Sequence, residues 1–266
     1  MTRYLALITG ASAGIGAALA RVYAQEGWDL ALTARRADRL ETLAEALCKQ
    51  HGTHCLVLPE DLSDPDAPNR LVAAITAQGR AIDGLVNNAG YGLGGPYVET
   101  EWADQARFLQ VLVSAPAALC HLCLPAMIER GFGRILNVAS LAGLVPGYGG
   151  QSLYGAAKAF VVRMSESLSA ETVGTGVHVT ALCPGLTESE FHDLAGTRKA
   201  VDDLPGWVKR TAQDVARQGY TACEANRPVH VTGAENKTAA ALTRLLPDAV
   251  TNGLVRRQSA RFRRTV

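Results

Sequence analysis

Seven short apolar runs recur along the chain, and their alternation with helical stretches constrains the fold more than any other feature. They read YLALIT (4–9), DLALTA (29–34), THCLVL (53–58), IDGLVN (82–87), RILNVA (134–139), VHVTAL (177–182) and PVHVT (228–232). Each is apolar at nearly every position rather than at alternate ones, the pattern of a strand covered on both faces. Between them lie segments with helical spacing, such as IGAALARVYAQEG and ADRLETLAEALCKQHG. Right-handed crossovers then put helices on both sides, so the expected fold is α/β, a doubly wound parallel sheet.

With 266 residues, 48% of them apolar, the chain can bury a full core, and no internal repeat, linker or low-complexity segment divides it. One domain over 1–266 is expected. A formal net charge of +1 gives no global field to attract nucleic acid or an anionic membrane, so neither is expected as a partner. The six cysteines form no regular framework and are expected to be free thiols in a reducing cytosol. Cys120-His-Leu-Cys123 lies in an apolar run with no second pair nearby, which argues for helix packing and against a metal. No leader pattern opens the sequence, and no uncharged apolar run is seen to reach the ~20 residues of a membrane span. A cytoplasmic protein is expected.

Two segments depart from the alternation. Residues 186–227 interrupt it before the last strand and are expected to form a substrate lid. The tail from about 252 to 266 carries five arginines and reads as a solvated basic end, with acidic lipid, nucleic acid or a partner subunit as alternatives.

The first strand runs into ITGASAGIG, which places Gly10, Gly14 and Gly16 at a strand-to-helix turn. Glycines there permit a tight turn and close backbone approach to a pyrophosphate, whose charge the helix N-terminus favours. Ser12, Ala13 and Ile15 belong to the same phosphate cradle. The second strand ends LTARRADRL, so Arg35 and Arg36 stand where a site that reads a ribose 2′-OH would present an acid. Arginine there can hold a 2′-phosphate through charge-assisted hydrogen bonds, which points to NADP(H) as the preferred cofactor and leaves NAD(H) open.

Further along stand NNAG (87–90), NVAS (137–140) and YGAAK (154–158), each after a strand or on a helix. Together with the glycine turn, in this order and spacing, they resemble the short-chain dehydrogenase/reductase family over residues 4 to about 190. The resemblance implies a Rossmann-type sheet of about seven strands and assembly as a homodimer or homotetramer through helices at about 103–130 and 153–172. It also implies catalytic roles for Ser140, Tyr154 and Lys158, with Lys158 binding the nicotinamide ribose. Asp61 and Leu62 resemble the pair beside the adenine, and Asn88, Ala89 and Gly90 the wall beside the adenosine ribose. Pro184, Gly185 and Thr187, in CPGLTESEF, would face the nicotinamide carboxamide.

The chemistry of these residue types agrees. Reducing a carbonyl needs a hydride at carbon and a proton at oxygen, but a phenol with pKa ~10 exchanges protons poorly near neutrality. Lys158, one helical turn from Tyr154, brings a positive charge that favours the phenolate. Ser140 can donate a hydrogen bond to the substrate oxygen. The expected activity is therefore an NADP(H)-dependent oxidoreductase acting on the carbonyl or secondary alcohol of a small to medium, partly apolar substrate. A slow or inactive dinucleotide-binding regulator is the alternative from another class. The expected substrate pocket comprises Leu141, Leu144, Tyr148, Leu153, Leu186 and Trp207. Two departures from the family pattern stand out: Ala157 where a serine commonly precedes the lysine, and Leu112 where an asparagine often anchors a water behind it. Leucine cannot hydrogen-bond, so the relay behind Lys158 is expected to be rerouted through backbone carbonyls and water or to be impaired.

Overall fold

In the computed structural model, which describes residues 3–147, 149–150, 152–188 and 209–245, all seven apolar runs contain strands. These are β1 (Leu5–Thr9), β2 (Asp29–Thr33), β3 (Cys55–Val57), β4 (Gly84–Asn87), β5 (Gly133–Val138), β6 (Val177–Cys183) and β9 (Val229–Val231). They form one parallel sheet in the order β3-β2-β1-β4-β5-β6-β9. The order reverses between β1 and β4, the switch point at which doubly wound sheets open a crevice beyond the carboxyl ends of their strands. Two further strands, β7 (Thr187–Glu188) and β8 (Arg210–Thr211), pair only with each other.

The apolar runs lack alternation because both faces of the sheet are covered. In β1, Ala6 and Ile8 join one core, while Leu5 and Leu7 join the opposite one. Helices α1 (Gly14–Gln25) and α2 (Ala37–His51) cover the first face, with Val22, Leu40 and Leu47 buried. The other face is covered by α3 (Ala67–Ala77), α5 (Ala115–Glu129) and α6 (Ser152–Glu171), which bring Ile75, Leu119 and Met164. Each leucine so buried contributes about 1.5–3 kcal/mol relative to exposure. Helix α4 (Trp102–Leu109) precedes α5 and is continuous with it through a π turn at Gln110–Ser114.

Two expectations need correction. The proposed lid at 186–227 is too long: Ala212–Glu224 is helix α7, whose Val215, Ala216 and Cys223 are buried in the same core as α1. It is the crossover that returns the chain to β9, and Thr211 caps it by accepting from the Asp214 amide. The part of the expectation on 189–208 and the tail at 252–266 lie outside the described residues. The second correction concerns the apolar runs, because Trp102–Glu129 is one helical stretch long and apolar enough to cross a bilayer. Its Leu119, Cys120, Cys123 and Met127 instead pack against the sheet. Cys120 and Cys123 are thus packing residues, and all six cysteines are free thiols.

At the amino ends of the strands, aromatic rings pack against one another. Tyr4 stacks on Phe132 at 4.2 Å, Trp28 meets Tyr23 edge-on at 5.3 Å, and Tyr23 meets Tyr220 at 5.0 Å. Trp28 Nε1 donates to the Tyr220 hydroxyl at 3.3 Å. Arg134 lies 4.4 Å over Phe132 and pairs with Glu224.

Candidate active site

The carboxyl ends of β1 and β4 are tied together by hydrogen bonds. Thr9 donates to the Val86 carbonyl and accepts from the amides of Asn88 and Ala89 at 2.9 and 3.0 Å. Asn88 Nδ2 returns to the carbonyls of Thr9 and Gly10. The glycines make this closeness feasible. Gly10 has φ +65°, and a Cβ on it would stand 2.8 Å from the Asn88 amide; a Cβ on Gly16 would stand 2.2 Å from the Gly10 carbonyl. Helix α1 begins at Gly14, and its N-cap, Ala13, has no side-chain hydrogen bond. Its first amides thus lack a side-chain cap, a cradle that fits a phosphate group. Ser12 and Ile15 lie in this turn. The Ser12 hydroxyl accepts from Arg36 Nη2 at 3.0 Å, so one of the two expected arginines is already laid against the glycine turn. Arg35, like Arg36, is exposed.

The catalytic candidates come from β5 and α6. Ser140 follows β5, and its Oγ accepts from the Ala142 amide at 3.1 Å, which leaves the hydroxyl proton to donate elsewhere. The turn after it, Leu141–Gly143, lies hard against α6: a Cβ on Gly143 would stand 2.6 Å from the Lys158 backbone, and one on Gly155 would stand 3.4 Å from the Ala142 carbonyl. Small residues thus bring the serine turn onto the turn of α6 that carries Tyr154. Lys158 is 6% exposed, and its Nζ donates to the Val138 carbonyl at 2.8 Å and lies 5.8 Å from the centroid of the Tyr154 ring. Burial pulls the ammonium down to about 8, with the nearby Cys183 opposing it.

Behind this pair, Leu112 is buried in the π turn among Phe108, Ala115 and Ala157. The chain's answer to the missing asparagine is therefore apolar packing, with a backbone carbonyl as the direct partner of the lysine. Ala157 shares that cluster, which explains why no polar group is called for there. One residue of β5, Asn137, continues the attachment to α6 and β4. Asn137 Nδ2 donates to Ser165 Oγ at 2.9 Å, and Asn137 Oδ1 accepts from Asn87 at 2.8 Å.

The remaining expected residues fall around this centre. The Asp61 carboxylate accepts from the Ser63 amide at 2.9 Å, while Leu62 is buried with Leu71 and Phe108. Gly90 follows Ala89 and stands close to Leu112. The Pro184 carbonyl accepts from the Leu141 amide at 2.8 Å, which joins the end of β6 to the serine turn. Gly185 stands against the Asn236 side chain, and the buried Thr187 donates to the Gly185 carbonyl at 3.2 Å. Arg210 in β8 is held by a bidentate pair with Glu235, whose carboxyl is kept below its ordinary range by that guanidinium.

A pocket opens beside Tyr154, lined by Leu93, Gly95, Tyr97, Gln105, Phe108, Ser152 and Leu153. Of the expected pocket residues, only Leu153 lines it. Leu144, partly buried, packs against the cluster of Val161 and Ala181. Leu141 and Leu186 do not line this pocket, and Tyr148 and Trp207 lie outside the described residues. Sequence reasoning missed the wall built from the β4–α4 connection. Its one signal was a polar Gln105 at a position where α4 otherwise buries Phe108.

A doubly wound sheet with a glycine turn at its switch point, and a Tyr/Lys helix after β5, is the architecture of a dinucleotide-binding α/β protein. Over residues 4–199 the chain matches the family model of the short chain dehydrogenases, and it belongs to that family. It is 39% identical to a sulfoacetaldehyde reductase of Chromohalobacter salexigens, over 84% of this chain and 88% of that one. A serine 3-dehydrogenase of Agrobacterium fabrum is 37% identical over 85% and 89%. Among solved structures, a short-chain dehydrogenase from Sphingobium yanoikuyae in complex with NADPH superposes with a TM-score of 0.82, at 31% identity and 94% coverage of both chains.

Proposed function

We propose that this protein is an NADP(H)-dependent oxidoreductase that interconverts a carbonyl and a secondary alcohol on a small to medium, partly apolar substrate. The observation that carries the reading is Lys158, buried beneath the Tyr154 ring and pinned to β5 by the Val138 carbonyl. A buried ammonium at that place has a chemical use and little structural benefit. The relatives named as reductase and dehydrogenase, and the NADPH complex of a similar fold, support the same reading and disfavour a slow regulator.

The glycine turn at Gly10, Gly14 and Gly16 and the α1 amides would hold the pyrophosphate, and Arg35 and Arg36 the 2′-phosphate. Bound NADPH supplies the hydride. Tyr154 releases its phenolic proton to the carbonyl oxygen, and Lys158 favours the phenolate that remains. Ser140, with its own acceptor already engaged by the Ala142 amide, donates its proton to the same oxygen and stabilises the charge that develops there. In the oxidative direction the phenolate takes the alcohol proton back.

A homodimer or homotetramer in the cytoplasm completes the proposal. The helices 102–129 and 152–171 carry exposed Trp102, Ile128 and Phe160, apolar side chains suited to a subunit contact. The test of function is a panel of aldehydes, ketones and their alcohols, including sulfoacetaldehyde and serine, with each cofactor. Oxidation of NADPH well above NADH is expected, and Arg35→Ala should weaken NADPH far more than NADH. Binding of NADPH with no turnover of any carbonyl would favour the regulator.

A further inference from the structure

The pocket beside Tyr154 holds one residue that its neighbours on α4 do not explain. Gln105 is 6% exposed on the buried face of α4, next to Phe108 and close to the cluster of Val111 and Leu112. A leucine would fill that face without burying an amide, and an amide without partners there costs free energy. Its orientation follows from its neighbour. Thr100 Oγ1 donates its single proton to the Tyr97 carbonyl at 2.9 Å, so toward Gln105 it can only accept. Nε2 of Gln105 therefore points to Thr100, and Oε1 points the other way. Among the described residues Oε1 has no donor, and it is not among the buried atoms shut off without a partner. Gln105 itself lines the pocket together with Ser152 and Tyr154. None of the pocket-lining residues carries a charge.

We infer that Gln105 is a specificity-determining residue, whose Oε1 accepts a hydrogen bond from a neutral donor, a hydroxyl or an amine, carried by the substrate close to its reacting carbonyl. This inference rests on the oxidoreductase reading above and names the substrate class for it: a small hydroxylated or amino-bearing ketone or aldehyde. A purely apolar ketone of the same shape leaves Oε1 unpaired, and discrimination follows from that loss.

Hydroxyacetone and butanone are the probes, since they differ by a hydroxyl in place of a methyl. In the unaltered enzyme, kcat/KM should favour hydroxyacetone by at least about tenfold. Gln105→Met, of similar volume, should bring the ratio close to one, while Gln105→Glu, which keeps an acceptor, should retain a preference. A second readout does not depend on turnover. With enzyme saturated by NADP⁺, which cannot reduce the ketone, the Gln105 side-chain amide resonances should shift on titration with hydroxyacetone and stay still with butanone. An unchanged ratio in a folded Gln105→Met enzyme, or amide resonances indifferent to hydroxyacetone, would overturn the inference. If no carbonyl is turned over at all, the oxidoreductase reading fails, and the titration still decides whether Gln105 binds the donor.

Discussion

The two ends of the parallel sheet are built from different materials. At the amino end, Tyr4, Tyr23, Trp28, Phe132 and Tyr220 touch ring to ring, with hydrogen bonds and charge serving mainly to complete the packing. At the carboxyl end, glycines bring backbone within a Cβ of backbone, and Thr9, Asn88, Ser140 and Lys158 hold the strands through directed hydrogen bonds. The first end maximises buried area, while the second leaves donors and acceptors aimed at a crevice. Stability and chemistry are thus assigned to opposite ends of the same strands, and substitutions can pull them apart.

The sharpest separation should come from Tyr154→Phe. It removes only the transferable proton, so kcat should fall by about 10²- to 10⁴-fold with Tm and NADPH affinity unchanged. Retention of most of kcat with the best substrate would remove the phenol from the mechanism. The mirror experiment is Trp28→Ala, which empties the other end and should cost about 3–5 kcal/mol in denaturant unfolding. Activity per folded molecule should be preserved; a parallel loss of kcat would mean that the two ends are mechanically coupled.

Smaller effects test the boundary between them. Leu112→Asn puts an amide into the apolar cluster behind Lys158, so Tm should drop while kcat rises a few-fold through a restored water contact. Comparing kcat across pH in light and heavy water checks this, and an unchanged kcat and isotope effect would show that the Val138 carbonyl suffices. The smallest effect concerns Lys158 itself, pulled by burial from 10.5 to about 8 in the protein. Below about pH 8 both folded and unfolded chains carry the charge, and the folded state bears the whole burial penalty. Between about 8 and 10.5 the folded lysine is neutral while the unfolded one is not, so stability from this residue rises with pH across that window. Lys158→Met in the cofactor-free protein should therefore gain most in Tm below pH 8, and the gain should shrink toward pH 10.5. Carbon NMR of Lys158 Cε reads the titration directly, and an ordinary lysine value would break the argument.

The strands were legible because each apolar run is both short and continuous, and the glycine turn because Gly10 and Gly16 have no sterically allowed substitute. Tyr154 and Lys158 were legible because four residues on a helix fix which side chains meet. The pocket wall was not. Leu93 and Tyr97 come from the connection before α4 and Gln105 from α4 itself, and no local spacing reports that they meet Ser152 and Tyr154 of α6 at one pocket. Nor was α7 separable from the insertion before it, since its buried stripe of Val215, Ala216, Gly219 and Cys223 is short and follows polar sequence. The serine turn's approach to α6, permitted by Gly143 and Gly155, was also hidden, because glycine in a loop has many uses.

The π turn at Gln110–Ser114 acts as a phase adjuster in the longest helix. On its amino side, Gln105 and Phe108 face the pocket by Tyr154; on its carboxyl side, Leu119, Cys123 and Met127 face the sheet. A regular helix advances about 100° per residue, so removing one residue from the turn would rotate everything after it by that angle relative to everything before. Either the pocket wall or the core seam would then look out to solvent. The helix is consequently locked in length at this point: a lineage of such enzymes can trade side chains within these five positions, but it can change its residue count only in the connections at either end.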